Sequence, residues 1–213
     1  MVELLNKIDK AELAGKPRVV FDGLIDEIDT LDKAQAAVQA ISAYKVIGFD
    51  TETRPSFTRG VQHKVALLQL ATLDHAWLFR LNQIGMPDCV AELLENPDIL
   101  KIGVSVKDDK AQLGGRRNLK TAGFVELQDL CAEMGIEEKG LQKIYGILFG
   151  QRISKNQQLS NWEIASLTES QRQYASIDAW ACLRIYNCLM ELKRTGEYTI
   201  IRKNVEESNT QER

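Results

Sequence analysis

Apolar residues recur at near-helical spacing near the start of the chain, at Val2, Leu4, Leu5, Ile8, Ala11 and Leu13, and Gly15-Lys16-Pro17 ends the run. This spacing predicts one short amphipathic helix over residues 2–13. Arg18 to Phe21 suits a brief strand, and Leu31 to Ser42, rich in Ala and Val behind Thr30 and Asp32, suits a helix. The first strong strand follows. Val46-Ile47-Gly48-Phe49 is continuous and apolar, as in a strand covered on both faces, and it stops abruptly in charge at Asp50, Glu52 and Arg54.

Lys64 to Thr72 and His75 to Arg80 read as two strands joined by Leu73-Asp74, a hairpin with a turn pair outside the favoured Asn-Gly type. Ile84 to Leu94 reads as helix, Leu100 to Val104 as strand, Lys107 to Leu113 as a polar helix and Val125 to Leu127 as a last short strand. Helices are then expected at 128–134, 140–149 and 169–193. The last opens on Thr168-Glu169-Ser170-Gln171, a capping box, and carries one stripe of Tyr174, Asp178, Ala181, Ile185, Leu189 and Leu192. Strands first, then strand and helix alternating, then helices, implies an α/β fold with a mixed sheet. Beyond Arg202 the chain is polar and is expected to form a frayed tail.

Composition narrows the classes. With 213 residues, 44% hydrophobic, 27% charged, 14 Gly and 4 Pro, the chain fits one globular domain with appendages and excludes collagen-like and mostly disordered classes. Its 27 Lys plus Arg against 30 Asp plus Glu leave a net charge of −3, so bulk attraction to a polyanion is not expected and such a substrate needs a local site. Cys89, Cys131, Cys182 and Cys188 form no C-x-x-C pair, which argues against a cysteine zinc site. No secretory signal pattern is visible, and Val65 to Ala71 is far short of the ~20 apolar residues of a membrane span. A cytoplasmic protein with reduced thiols and no membrane partner is therefore expected.

The candidate chemistry lies in carboxylates. Asp50 and Glu52, at i and i+2 on a strand end, leave the same face, and two charges so placed are unfavourable unless they share a cation or a proton. That suits a divalent metal, although a solvated D-x-E at a strand end is the plainer alternative. Tyr174 and Asp178, one turn apart, share the apolar stripe of the long helix, where an unpaired carboxylate loses several kcal/mol in order of magnitude. Asp178 needs a cation, or a bond to neighbouring backbone or to Trp180. Asp108-Asp109 follows the strand at 101–104, where ligands gather in open α/β sheets, but also fits a helix N-terminus. His63 and His75 do not recur at metal spacing. Phe57 suits a wedge against a base or a core position, and Trp162 and Trp180 suit packing.

Val46 to Glu52, Lys64 to Thr72, Gly103 to Leu113 and the run Ser160-Asn161-Trp162-x4-Leu167-Thr168-x2-Gln171-x2-Tyr174-Ala175-x2-Asp178 resemble, in order and spacing, the DEDDy 3′–5′ exonucleases. The likeness to the Werner-type exonuclease domain and to ribonuclease D is strongest, and it spans about residues 40 to 193. It implies a ribonuclease H-like fold, a mixed central sheet flanked by helices, and a pair of Mg²⁺ or Mn²⁺ ions. Carried over by position, Asp50, Glu52, Asp109 and Asp178 are the metal acids and Tyr174 orients the attacking water. Gly103-Val104-x4-Asp109-x3-Leu113 has the family's spacing, which favours Asp109 while leaving Asp108 open.

The expected organisation is an N-terminal helical extension with a short strand at 1–24, the exonuclease domain at 25–200 and a polar tail at 201–213. Neither a helicase nor an appended helical nucleic-acid-binding domain is expected. The expected partner is nucleic acid with a free 3′ end, single-stranded or recessed DNA first, shortened to nucleoside 5′-monophosphates. Thr53, Arg54, Arg59, Lys64, Arg152 and Lys155 are the candidate backbone contacts, with Arg116-Arg117 and Lys139-Lys143 weaker. A ribonuclease D-like enzyme trimming RNA is the first alternative. An inactive ribonuclease H-like module that binds nucleic acid or a partner is the second, but it should have lost an acid, and none is lost.

Overall fold

The computed structural model describes residues 1–203. Its first elements differ from the expected helix: β1 (Val2–Leu5) is a strand and only α1 (Lys10–Ala14) is helical. The reason lies at the other end of the chain, where the last strand, Tyr198–Ile201, pairs with β1 in parallel from Val2↔Tyr198 to Leu5↔Ile201. Val2 and Leu4 satisfy a helical and a strand period equally, and the distant strand decides. Arg18 to Phe21 forms no strand beyond an isolated bridge between Arg18 and Arg152; the strand is instead β2 (Leu24–Ile28). The polar tail expected from residue 201 begins later, because Ile201 ends a strand, and beyond Lys203 it lies outside the described residues.

The helix α2 (Leu31–Ile41) starts at Thr30, whose hydroxyl accepts from the Lys33 amide. The strands β3 (Val46–Glu52), β4 (Leu67–Ala71) and β5 (His75–Phe79) form an antiparallel meander, as the two apolar runs and their short turn imply. The helix expected at 84–94 is two, α3 (Leu81–Ile84) and α4 (Asp88–Glu95), broken at Gly85, where φ is 68°, and by Pro87. Next come β6 (Leu100–Gly103), α5 (Val106–Gly114), β7 (Phe124–Glu126), α6 (Leu127–Glu133), α7 (Leu141–Phe149), α8 (Glu169–Thr195) and β8 (Tyr198–Ile201). The capping box at Thr168 and Gln171 is formed.

The main sheet is mixed and six-stranded, in the order β2-β5-β4-β3-β6-β7, with β3 in its interior. One face packs α6, α7 and α8 around residues such as Leu127, Ile144, Ala181 and Ile185; the other packs α2 and α4 around Ile41, Ile47, Phe49 and Leu94. Alternation along β3 sends Ile47 and Phe49 to the second face, and hence Gly48, Asp50 and Glu52 toward α8. Gly48 is required there: a Cβ would lie 1.8 Å from the Ala179 carbonyl oxygen of α8. This close approach brings the residue before Ala179, Asp178, down onto the end of β3.

Candidate active site

Three carboxylates converge where β3 ends under α8. Asp50, Glu52 and Asp178 each offer an oxygen within 4.8 Å of the others. They floor a cleft of about 700 Å³ with Tyr174, walled by the 152–158 loop, the start of α7 and α1. Asp178 is 5% exposed, and its Oδ1 is buried without a hydrogen-bond partner. The alternative in which Trp180 satisfies it does not hold, because the Trp180 indole donates to the Leu73 carbonyl oxygen at 3.0 Å.

Asp109 stands apart from the triad. It is half-buried on α5 while Asp108 is exposed, which settles which of the two faces inward. The Thr51 hydroxyl donates to its Oδ1 at 2.5 Å. The start of α5 is fixed by Glu126 at the end of β7, whose carboxylate accepts from the Ser105 and Val106 amides at 3.0 and 2.9 Å. Ser105 itself takes a left-handed conformation, φ 59°, an unusual backbone state for a residue with a Cβ. Glu126, the last residue of β7, carries no motif that marks it in the sequence.

Burial dominates the electrostatics of the floor. It pushes the Asp50 carboxyl well above the ordinary carboxylate range, and the charges of Asp178, Asp109 and Glu52 add to it. Glu52 is pushed up to about 9 by burial, then by Asp178 and Asp109. Asp178 rises to about 7 by burial, partly countered by the Tyr174 hydroxyl, and Asp109 to about 6, partly countered by Thr51. The Tyr174 hydroxyl is held more firmly protonated by its burial and by the three neighbouring carboxylates. Cys182 also lines the cleft, and burial pushes its thiol up.

A divalent cation fits this floor. The donors are all carboxylate oxygens, the type hard cations such as Mg²⁺ and Mn²⁺ prefer, and the unpaired Oδ1 of Asp178 is a ligand position that no protein donor fills. Their mutual repulsion is what a bound cation removes.

Of the expected backbone contacts, Arg152 and Lys155 line the cleft. Thr53 donates to Gln112 at 3.0 Å and Arg54 pairs with Glu163 at 3.2 Å, while Arg59 and Lys64 are exposed beyond the strand end; none of these four lines it. Phe57 is 87% exposed, which removes its core alternative. Trp162 is fully buried with its ring 6.0 Å from that of Tyr174, the packing role expected of it. His63 faces Glu163 at 3.5 Å and His75 binds Asp26 at 2.8 Å, both away from the carboxylates. Lys10 and Lys143, the latter a weaker candidate by sequence, both line the cleft; no motif marks a lysine such as Lys10 on a five-residue helix. Among the described residues no helix is long and apolar enough to cross a membrane.

Comparison with known proteins matches this geometry to a family. The mouse bifunctional 3′–5′ exonuclease/ATP-dependent helicase WRN is 33% identical over 164 residues, 74% of this chain and 12% of that protein. A 3′–5′ exonuclease of Arabidopsis thaliana is 27% identical over 185 residues, 82% of this chain and 64% of that one. The chain thus spans less than two thirds of either relative. Among solved structures, the Aedes aegypti Nibbler EXO domain superposes with a TM-score of 0.74 at 21% identity, covering 82% of this chain and 90% of that one. Escherichia coli RNase D superposes with a TM-score of 0.72 at 25% identity, covering 81% and 46%. These likenesses identify the fold as ribonuclease H-like, as the mixed sheet and flanking helices imply. A family model described as 3′–5′ exonuclease matches residues 25–193, a span that holds all four acids and Tyr174, and the chain therefore belongs to the 3′–5′ exonuclease family.

Proposed function

We propose that this cleft hydrolyses phosphodiester bonds one nucleotide at a time from the 3′ end of nucleic acid, releasing nucleoside 5′-monophosphates. The observation that carries the reading is the triad of Asp50, Glu52 and Asp178 within 4.8 Å, with Asp178 Oδ1 unpaired in an open cleft. Asp50, Glu52 and Asp178, with Asp109 as the outer fourth acid, would hold two Mg²⁺ or Mn²⁺ ions. Such a pair, when bound, neutralises the transferring phosphate, lowers the pKa of a bound water and stabilises the leaving oxygen. Tyr174, one turn before Asp178, keeps its proton and positions the attacking water by hydrogen bonding. Arg152 and Lys155 hold the backbone from the cleft wall, and Thr53, Arg54, Arg59 and Lys64 offer contacts at its outer rim.

Single-stranded and recessed DNA are the substrates we favour. RNA is the second reading, supported by the likeness to E. coli RNase D, an exoribonuclease involved in structured RNA processing. Incubating the protein with 5′-labelled DNA and RNA of equal sequence, single-stranded, recessed and blunt, in Mg²⁺ or Mn²⁺ tests both. A ladder shortening from the 3′ end is expected, slower on blunt duplex because fraying its end takes a few kcal/mol. Cleavage inside a circular strand would contradict the polarity, and faster loss of RNA would promote the second reading.

A further inference from the structure

Residues 1–24 precede the family match, yet they build one wall of the cleft. Lys10, Leu13 and Ala14 line it together with Asp50, Glu52 and Asp178. The segment is fastened rather than draped. Val19 donates its amide to the Arg152 carbonyl at 3.1 Å, Arg152 returns its own to Pro17 at 2.9 Å, and the Arg152 Nε donates to the Lys16 carbonyl at 3.0 Å. The Ile8 amide donates to Glu138 at 3.1 Å, and the same carboxylate oxygen holds Lys143 at 2.9 Å. Leu4, Ile8 and Phe21 are buried, and α7 meets Leu13 so closely at Gly146 that a Cβ there would lie 2.4 Å from it. The N-terminal segment therefore fixes the loop that carries Arg152 and Lys155 as well as the position of Lys143.

Charge is divided across this cleft. Its floor is carboxylate, whereas its wall presents Lys10, Lys143, Arg152 and Lys155. Among the described residues, no ion pair occupies Lys10, Arg152 or Lys155. A chain of net charge −3 has no long-range attraction for a polyanion, so such a wall supplies it locally. In an enzyme working from a 3′ end the scissile phosphate takes the floor, and every remaining phosphate runs to its 5′ side. The cationic wall is the surface left to meet them.

We propose that residues 1–24 are part of the substrate-binding machinery, with Lys10 and the Lys155 they help to position gripping the phosphates 5′ of the scissile bond of a single strand. This rests on the nuclease reading above and adds to it a determinant of strand length. The segment makes a strand of several nucleotides a better substrate than a dinucleotide, which lacks those phosphates.

The test uses the full chain and point variants, because deleting the segment would remove Leu4, Ile8 and Phe21 from the core. Lys10→Ala, Lys10→Glu and Lys10→Arg, with Lys33→Ala on α2 as the control, are compared on a dinucleotide and on a 12-nucleotide strand whose 3′-terminal linkage is a phosphorothioate. Affinity is followed by fluorescence anisotropy over a salt series and turnover on the unmodified strands. For Lys10→Ala the 12-mer affinity should fall about three- to fivefold, the size of one exposed charge contact. The slope of log affinity against log salt should shrink by about 0.7, as for one lost contact to a single strand. Its KM should rise more than its kcat falls, the preference for 12-mer over dinucleotide should narrow, Lys10→Glu should lose more and Lys10→Arg should restore affinity. If Lys10→Glu, folded by circular dichroism, binds the 12-mer with wild-type affinity and salt slope while wild type trims it, this proposal is wrong and the nuclease reading stands. If wild type neither binds nor shortens any strand, both are wrong.

Discussion

The protein buries charge both in its core and at the end of β3, and in opposite ways. In the core, Arg80, directly after β5, is fully buried: its guanidinium pairs with Glu27 and donates to the Ile164 carbonyl. Lys101, equally buried, donates to the Asn96 and Leu93 carbonyl oxygens at the end of α4, at 2.7 and 3.4 Å, and lies 5.2 Å from the centre of the Phe124 ring. At the end of β3, by contrast, Asp50, Glu52 and Asp178 face one another, and among the described residues no ion pair joins any of them to a protein cation. Buried charges with partners tie elements together, while like charges held together without one are maintained at the expense of stability and mark a site for an outside cation.

Five experiments can break or sharpen this contrast. The largest effect is expected at the floor: Asp50→Ala, or excess EDTA on the wild type, should reduce nuclease activity to background, with Mn²⁺ or Mg²⁺ restoring only the wild type. Residual cleavage in EDTA would remove the cation from the account. Next is Arg80→Ala, which strands Glu27 and the Ile164 carbonyl and should lower unfolding free energy by about 3–5 kcal/mol in urea titrations. A loss within 0.5 kcal/mol would show the ion pair to be idle.

Tyr174→Phe keeps the ring packed beside Trp162 and deletes one hydroxyl, so single-turnover rates should drop about 10²-fold with metal titration unchanged. Wild-type rates would make Tyr174 a core residue only. Asp178→Asn removes one buried charge and should raise Tm by about 2–4 °C in EDTA at pH 8, while abolishing activity when the metal is supplied. A lowered Tm would mean that the carboxylates are structural after all.

The smallest effect belongs to Lys101, whose ammonium is pushed down to about 8 by burial. Lys101→Met should change stability at pH 7 by less than about 1 kcal/mol, because the relief of desolvation offsets the lost bonds to carbonyls. Between pH 8 and 10.5 the unfolded lysine binds a proton that the folded one has released, so folded-state stability rises with pH through that window. Wild type should therefore gain on the variant there, and parallel stability curves would place the charge elsewhere.

Legibility followed the range of the interactions. The capping box at Thr168 and Gln171 and the stripe from Tyr174 to Leu192 were readable because a helix is specified within a few turns by its own neighbours. The run Val46 to Phe49 ending in Asp50 and Glu52 was readable for the same reason. β1 was not, since its apolar spacing suits either period and its partner β8 lies at the far end of the described chain. β2 is not legible because it is an edge strand whose two consecutive acids, Asp26 and Glu27, break the period-two alternation between Ile25 and Ile28. In the site, the acids and Tyr174 were legible as types at spacings. Lys10 and Glu126 were not, because each reaches the site through elements brought together only by packing.

The amino-acid sequence by itself determined which chemistry the chain carries, four acids and a tyrosine on a strand end and two helices, because side-chain type and local period are properties of short segments. Only the tertiary structure decided their distances and their surroundings. Gly48 lets α8 approach β3 until Asp178 joins Asp50 and Glu52, burial then raises all three, and Thr51 hydrogen-bonds Asp109 beside them. The same packing folds the first 24 residues against the 152–158 loop and turns Lys10 toward the cleft. Contacts between segments more than a hundred residues apart depend on the shape of the whole core, which no window of sequence contains.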